Sequence, residues 1–320
     1  MNKKVTLGLL AVAALALSQG VAQPKKFVIG FSSPGADHGW TGAIITNAKT
    51  TAAKYKDVTL LLTEGVNDAA KQVGDVESLI TRKVDAIVLL PHSGAELTSV
   101  ARKAMKAGIP VINLDRKLET EDAYYTFLGG DNYGIGKSAG EYFAQRLKGT
   151  GNVAEIQGLA GISVTEERSR GFRDALKAYP NIKIVASQPG DFSAEKGLTV
   201  MENILQSQPK IDAVYTHDDD MAVGVVRAIT NAKREKGLFV TGAGGSCWAY
   251  GEIKKGSSIF QASFLYNPSM ASTAVAVARA VALKRGLAEF AEPEMPRSMV
   301  IRASTVTKAN VATFQKICFK

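Results

Sequence analysis

The sequence predicts an α/β chain of two doubly wound parallel-sheet lobes joined by a three-segment hinge, and three observations predict it. Short aliphatic runs alternate with segments of helical period from residue 27 onward, the alternation restarts after residue 130, and a last strand, helix and strand exceed what the second series needs. With 320 residues, 46% of them hydrophobic and 22% charged, the chain can build two cores of ordinary composition.

The first 22 residues are of another kind. Lys3 and Lys4 precede an apolar run from Val5 to Leu17, and Gly20, Val21 and Ala22 are the small residues of a cleavage site, so residues 1–22 read as a signal peptide cleaved after Ala22. The run falls short of the roughly 18 apolar residues that cross a bilayer. FVIGF at 27–31 is then the first strand, and Ile44, Ile45, Ala48, Ala52 and Tyr55 mark the first helix. VTLLLTE from Val58 is the second strand, Val73, Val76, Leu79 and Ile80 the second helix, DAIVLLP from Asp85 the third strand, and Leu97, Val100, Ala101 and Ala104 the third helix. Gly108 closes that helix as a C′ residue. GIPVINLDR follows, a strand whose Val111, Ile112 and Leu114, with only Asn113 between them, suit a sheet covered on both faces, ending on Asp115 and Arg116.

YTFLGG ends the first series near Gly130, and NVAEIQG opens the second at Asn152 after a helix over about 134–148. Ser163 with Glu166 reads as a capping box before the next helix. IKIVASQ, a helix over 193–206, DAVYTH, a helix after Asp219, and LFVTGAG continue the alternation. SSIFQASFLYNP, a helix over 270–283 and the strand MVIRAST remain, so the chain is expected to cross to the first lobe near Tyr266 and return near Pro293. The lobes are then 23–129 plus 267–292, and 130–266 plus 293–320.

Charge and cysteine use narrow the function. The formal charge is +9, or +7 without Lys3 and Lys4, but the basic residues are scattered, which fits a solvated surface and not a nucleic-acid footprint. An exported chain permits a Cys247–Cys318 disulfide; two free thiols fit the sequence equally. No metal or cofactor is expected: GDNYGIG at 130–136 has the wrong spacing for a dinucleotide site, and Asp218, Asp219 and Asp220 are consecutive, without the spacing of a calcium loop. Nor is there a nucleophile and base to name, so no catalytic residue is assigned.

What recurs is polar and aromatic residues at strand ends, the edge where open α/β sheets place ligands. The first lobe offers Phe31, Ser32, Trp40, Asp115 and Arg116. The second offers Arg168, Phe192, Asp218 and Trp248. Carboxylates and guanidinium groups bond directionally to neighbouring hydroxyls, while aromatic faces cover the C–H patches of a sugar ring. Singly, each has a plainer reading: Trp40 as helix packing, Phe192 as a hydrophobic staple before Ser193, Asp219 and Asp220 as dipole partners at a helix start, Arg168 as a surface partner of Glu166 or Glu167.

Taken together, IPVINLDR, EIQGLAGISVTEERSRGF, ASQPGDF with KGLTVMENIL, and THDDDMAVG resemble the ribose-binding and lac-repressor-like group of type I periplasmic sugar-binding proteins. GFSSPGADHGW is nearest the subgroup that binds galactofuranose. The resemblance implies two Rossmann-like lobes that close on a monosaccharide or small polyol and deliver it to an ABC permease, in a periplasmic monomer that binds no nucleic acid and catalyses nothing. It places Asp115, Arg116, Arg168, Phe192 and Asp218 at ligand-binding positions, with Tyr266 or Asn267 near a polar hinge residue. Hinges are expected near 129–131, 266–267 and 293–297. Gly244 stands where the family carries an aspartate, and Leu90 where ribose binders carry asparagine, so a ligand other than ribose is expected, with Trp248 or Asp218 supplying part of what Gly244 lacks. The alternatives are the effector-binding core of a transcriptional regulator, against which no helix-turn-helix precedes Phe27, and an exported carbohydrate-active enzyme.

Overall fold

Strands without polar alternation must be covered on both faces, and the amphipathic segments between them do the covering. The structure, a computed structural model, describes residues 26–36, 39–284 and 295–320. The expected signal peptide over residues 1–22 and the expected cleavage after Ala22 lie outside the described residues. The first series is β1 (Phe27–Ser33), α1 (Gly39–Lys54), β2 (Val58–Glu64), α2 (Ala69–Thr81), β3 (Ala86–Leu89), α3 (Gly94–Lys106), β4 (Val111–Leu114) and β5 (Thr126–Gly130). The second is α4 (Asn132–Arg146), β6 (Thr150–Gln157), α5 (Ser163–Leu176), β7 (Asn181–Pro189), α6 (Ala194–Ser207), β8 (Ala213–Thr216), α7 (Asp219–Asn231), β9 (Phe239–Gly244), α8 (Cys247–Lys255) and β10 (Phe260–Leu265). The chain ends with α9 (Met270–Ala282), β11 (Ser298–Ile301), β12 (Thr305–Thr307) and α10 (Val311–Phe314).

Two six-stranded sheets result. The first runs β2-β1-β3-β4-β5-β11, all parallel. The second runs β7-β6-β8-β9-β10 in parallel, with β12 antiparallel on β10. Every residue of β4 and of β8 is buried, as strands covered on both faces must be. Because the strands within each sheet are parallel, their carboxyl ends share one edge, where Asp115, Asp218, Gly244 and Tyr266 fall.

Among the described residues the chain passes between the sheets three times: between Gly130 and Asn132, between Leu265 and Met270, and between Ile301 and Thr305. The sequence reading expects them near 129–131, 266–267 and 293–297. The third corrects it: MVIRAST is not one strand of the second lobe. Its first half, β11, pairs with β5 in the first sheet, and its second half, β12, pairs with β10, so the return lies after Ile301 and not near Pro293. Pro293 itself lies outside the described residues. A strand this short at a sheet edge carries no pattern that says which edge it joins. Ser163 also departs from expectation. The helix cap is Ile162, and the Ser163 hydroxyl accepts the Lys117 N–H at 3.0 Å, a bond from one lobe to the other.

Cys247 and Cys318 are disulfide-bonded, closing 71 residues of sequence with a Cα–Cα separation of 4.9 Å. Such a link stabilises mainly by restricting the unfolded chain. Replacing both cysteines by serine should lower the unfolding free energy by about 2–4 kcal/mol. Urea unfolding without reductant measures it, and an unchanged midpoint would count against the closure.

Candidate functional site

On the first lobe the site is built at the end of β4. Asp115 has φ +66°, a left-handed conformation that aspartate tolerates better than most residues. Buried Asn113 holds this turn: its amide donates to the Arg116 carbonyl at 2.8 Å and its oxygen accepts the Leu118 N–H at 3.0 Å. Arg116 in turn donates to the carbonyl of His92 at 2.7 Å, which leaves its guanidinium anchored at one end. The loop bearing His92 is fixed by Gln72, whose side chain accepts the His92 N–H and donates to Leu90 O and to the Ser32 hydroxyl.

On the second lobe Arg168 projects from α5, donating to Asn132 Oδ1 at 2.9 Å and to the carbonyl of His217. Beneath it the His217 ring lies 3.2 Å from the Glu155 carboxylate, which also accepts from Arg173 at 2.6 Å. Burial pushes the His217 pKa down, so the ring is neutral. Burial alone would push Glu155 up, but the hydrogen bond to His217, the charge of Arg173 and the Ser187 hydroxyl hold it below the usual carboxylate range. Asp218 caps α7, accepting the Asp220 N–H at 2.7 Å, as carboxylates do at the positive end of a helix. Phe192 has φ +59° directly after Asp191 at +51°, and a Cβ on Gly158 would lie 2.1 Å from its ring. Two consecutive strained residues and an obligatory glycine therefore hold one aromatic side chain over the cleft. Ser193 does cap α6, so the helix start sits beside a cleft residue.

Tyr266, at the second crossing, joins the halves. Its hydroxyl donates to Asp115 Oδ1 and accepts from Asn132 Nδ2 at 3.3 Å. Burial, reinforced by Asp115, pushes its pKa well above the ordinary value, so it remains a neutral donor. The Arg168 guanidinium lies 4.7 Å above its ring, and the Trp40 ring packs at 5.2 Å while its indole N–H donates to Tyr266 O at 2.8 Å. Trp40 thus packs against the hinge and faces the cleft as well. Two further contacts bridge the lobes: Lys117 to Glu167 at 2.5 Å, and the Gly39 N–H to Asp220 at 2.7 Å.

These groups enclose a cavity with about 330 Å³ of atom-free space, open solvent at its mouth included. Trp40, Asp115, Arg116, Arg168, Phe192, Asp218 and Tyr266 line it, all more than nine-tenths buried. Two carboxylates face two guanidinium groups, which favours a polar ligand without net charge.

Four expected residues lie elsewhere. Phe31 is a core residue of β1, and Ser32 is engaged by Gln72. Trp248 turns its ring onto Phe260 at 5.0 Å, so it does not replace a missing group at Gly244. Asn267 caps the next turn by accepting the Ser269 N–H. Conversely, Val164, Ala243 and Gly244 complete the wall. Gly244 is at a strand end in the sequence, but Val164 and Ala243 are small apolar residues with no chemical signature. Asp219 serves neither as a cleft group nor only as a dipole partner: it is fully buried and accepts from the N–H groups of Gly245 and Ser246 at 2.7 and 2.8 Å and from Ser263.

Residues 29–286 match the model of the family described as periplasmic binding protein domain. The chain belongs to the periplasmic binding protein family. This periplasmic binding protein is 37% identical over 233 residues to the galactofuranose-binding protein YtfQ of Escherichia coli (strain K12), covering 71% of this chain and 72% of the relative. A crystal structure of a galactofuranose binding protein superposes with a TM-score of 0.83 at 30% identity, over 91% of this chain and 97% of the other. An ABC transporter solute binding protein from Bacillus halodurans C-125 with bound myo-inositol gives a TM-score of 0.84 at 25% identity, over 92% and 99%.

Burial pushes the Asp219 pKa from 3.8 up to about 6, against the hydrogen bonds from Ser246, Gly245 and Ser263 that lower it. Folding therefore favours the protonated form. The stability this provides is complete below the unfolded pKa of 3.8 and is lost as pH rises through about 6. A carboxyl carbon titration should show a midpoint near 6 that Asp219→Asn removes; a midpoint at or below the unfolded value would contradict it.

Proposed function

We propose that this protein is the substrate-binding component of an ABC importer and holds a monosaccharide or small polyol between its lobes. The observation that carries the reading is a small, charge-balanced cavity to which both lobes and a hinge tyrosine contribute. Neutral polyhydroxy ligands suit it, because each hydroxyl can both donate to a carboxylate and accept from a guanidinium. In this reading Asp115, Arg116, Arg168 and Asp218 bond ligand hydroxyls, while Phe192 and Trp40 cover its C–H faces. Similarity to galactofuranose- and myo-inositol-binding proteins supports the ligand class.

The lobes move about the three crossings, and ligand favours the closed arrangement by contacting both. The Lys117–Glu167 pair and the Gly39–Asp220 bond also span the gap between the lobes. No bond in the ligand is made or broken. The protein acts in the periplasm as a monomer after cleavage behind Ala22, and its macromolecular partner is a membrane permease; nucleic acid is not a partner. Gly244 presents no side chain, so the ligand face toward it is not held by a carboxylate, which separates this site from that of a ribose binder.

A thermal-shift screen of D-galactose, D-fucose, L-arabinose, D-ribose, D-allose and myo-inositol tests the class, since a ligand bound only by the native state raises the melting temperature. Stabilisation by an amino acid or nucleoside, with no response to any sugar or polyol, would overturn it. For the sugar that binds, Asp115→Ala and Arg168→Ala should each raise Kd by about 10- to 150-fold, the loss of about 1.5–3 kcal/mol expected for a hydrogen bond to a charged group. Calorimetry showing unchanged affinity in either variant would remove that residue from the site.

A further inference from the structure

The carboxyl-terminal segment serves neither sheet beyond β12, and the ligand reading does not use it. Yet Phe319, the penultimate residue, is only 8% exposed. Its carbonyl accepts the Cys247 N–H at 2.8 Å, its N–H donates to Gly245 O at 3.4 Å, and Ser246 and Phe319 form a parallel bridge. The Cys247–Cys318 disulfide adds a covalent tie one residue away. The tail is therefore fastened to the loop that directly follows Gly244, the bare wall of the cavity.

From there the Phe319 ring reaches the other lobe. A Cβ built on Gly244 would lie 3.4 Å from it, and a Cβ built on Gly39, the first residue of α1, would lie 3.5 Å from it. The ring thus fills the space that two absent side chains leave, one on each side of the gap. It belongs to the same buried apolar cluster as Trp40, Ile44 and Tyr266. It is also beside the point where Gly39 donates to Asp220 across the lobes. Phe319 does not line the cavity itself; Gly244 on one side does, and so does Trp40, which follows Gly39 on the other.

We infer that Phe319 is a positioning residue for the ligand site, a spacer between the start of α1, which carries Trp40, and the Ala243–Gly244 wall, held in place by the Cys247–Cys318 disulfide. The inference rests on the ligand-binding reading above. Without the ring, closed lobes face a void beside Gly39 and Gly244, and the start of α1, which carries Trp40, loses the contact that fixes its distance from the opposite wall. The fraction of molecules closed in the competent geometry falls, and apparent affinity falls with it. Untying the tail has the same consequence: a dithiol reductant gives up two electrons and two protons, the cystine becomes two thiols, and the reductant becomes a cyclic disulfide.

The test uses the mature chain and the sugar that stabilises it most in the screen, with Kd from calorimetry and dissociation rates from stopped-flow fluorescence, well below the melting temperature. Phe319→Ala should raise Kd about tenfold, the effect of lowering the competent fraction to about a tenth, chiefly through faster dissociation. Phe319→Leu, which keeps apolar bulk, should recover most of the loss. The parent chain treated with dithiothreitol should behave like Phe319→Ala, and this arm does not depend on any variant folding. Kd within twofold of the parent in Phe319→Ala and in the reduced chain, with only the melting temperature lowered, overturns the positioning role while the ligand reading stands. A parent chain that binds none of the sugars or polyols overturns both.

Discussion

The hydroxyl of Tyr266 donates to the buried carboxylate of Asp115 at the place where two of the three crossings between lobes come together. Gly130 must lack a side chain for this to happen, because a Cβ there would lie 2.0 Å from the tyrosine ring. The same ring carries the Arg168 guanidinium on one face and packs against Trp40. One hinge residue therefore fixes a carboxylate from the first lobe, an arginine from the second and the aromatic at the start of α1. Each of these is buried, and a buried polar group without its partner costs far more than the bond itself contributes. The arrangement of the cleft follows from that constraint.

Layers of the same logic lie behind it. Asn113 holds the turn that aims Asp115 and Arg116, and the His217 carbonyl with Asn132 holds Arg168. Under the second lobe a neutral His217 hydrogen-bonds to a charged Glu155, and Asp219 ties the loop after β9 to the start of α7. These groups are not cleft residues, but they keep rotamers in the cleft from relaxing when no ligand is present. A site supported in this way loses little freedom on binding, so more of the interaction with a ligand survives as affinity.

Much of this is legible in the residues. The alternation of aliphatic runs with helical segments, restarting once, shows two parallel-sheet units, and the strand-end position marks Asp115, Arg116, Arg168, Phe192 and Asp218 as a set that the fold does bring together. The parts that are not legible are those decided by distant partners. Ser163 has every local property of a cap, yet its hydroxyl bonds to Lys117 of the other lobe. Asp219 looks like its neighbours and differs only because Gly245, Ser246 and Ser263 fold against it. Trp248 shares its strand-end position with the cleft residues but sits on the face of α8 that meets Phe260. MVIRAST divides between two sheets because edge pairing depends on which strands are already present, not on the seven residues themselves. The cysteine pairing is of the same kind, since 71 residues separate the partners.

The measurement that bears most directly on this account is a double-mutant cycle in ligand affinity using Asp115→Asn, Tyr266→Phe and the two combined. If the tyrosine acts on the ligand through the carboxylate it holds, the second substitution should cost little once the first is made, with a coupling of about 0.5–3 kcal/mol. Effects that add to within about 0.3 kcal/mol would mean that the two residues act independently, and that the hinge does not set the site.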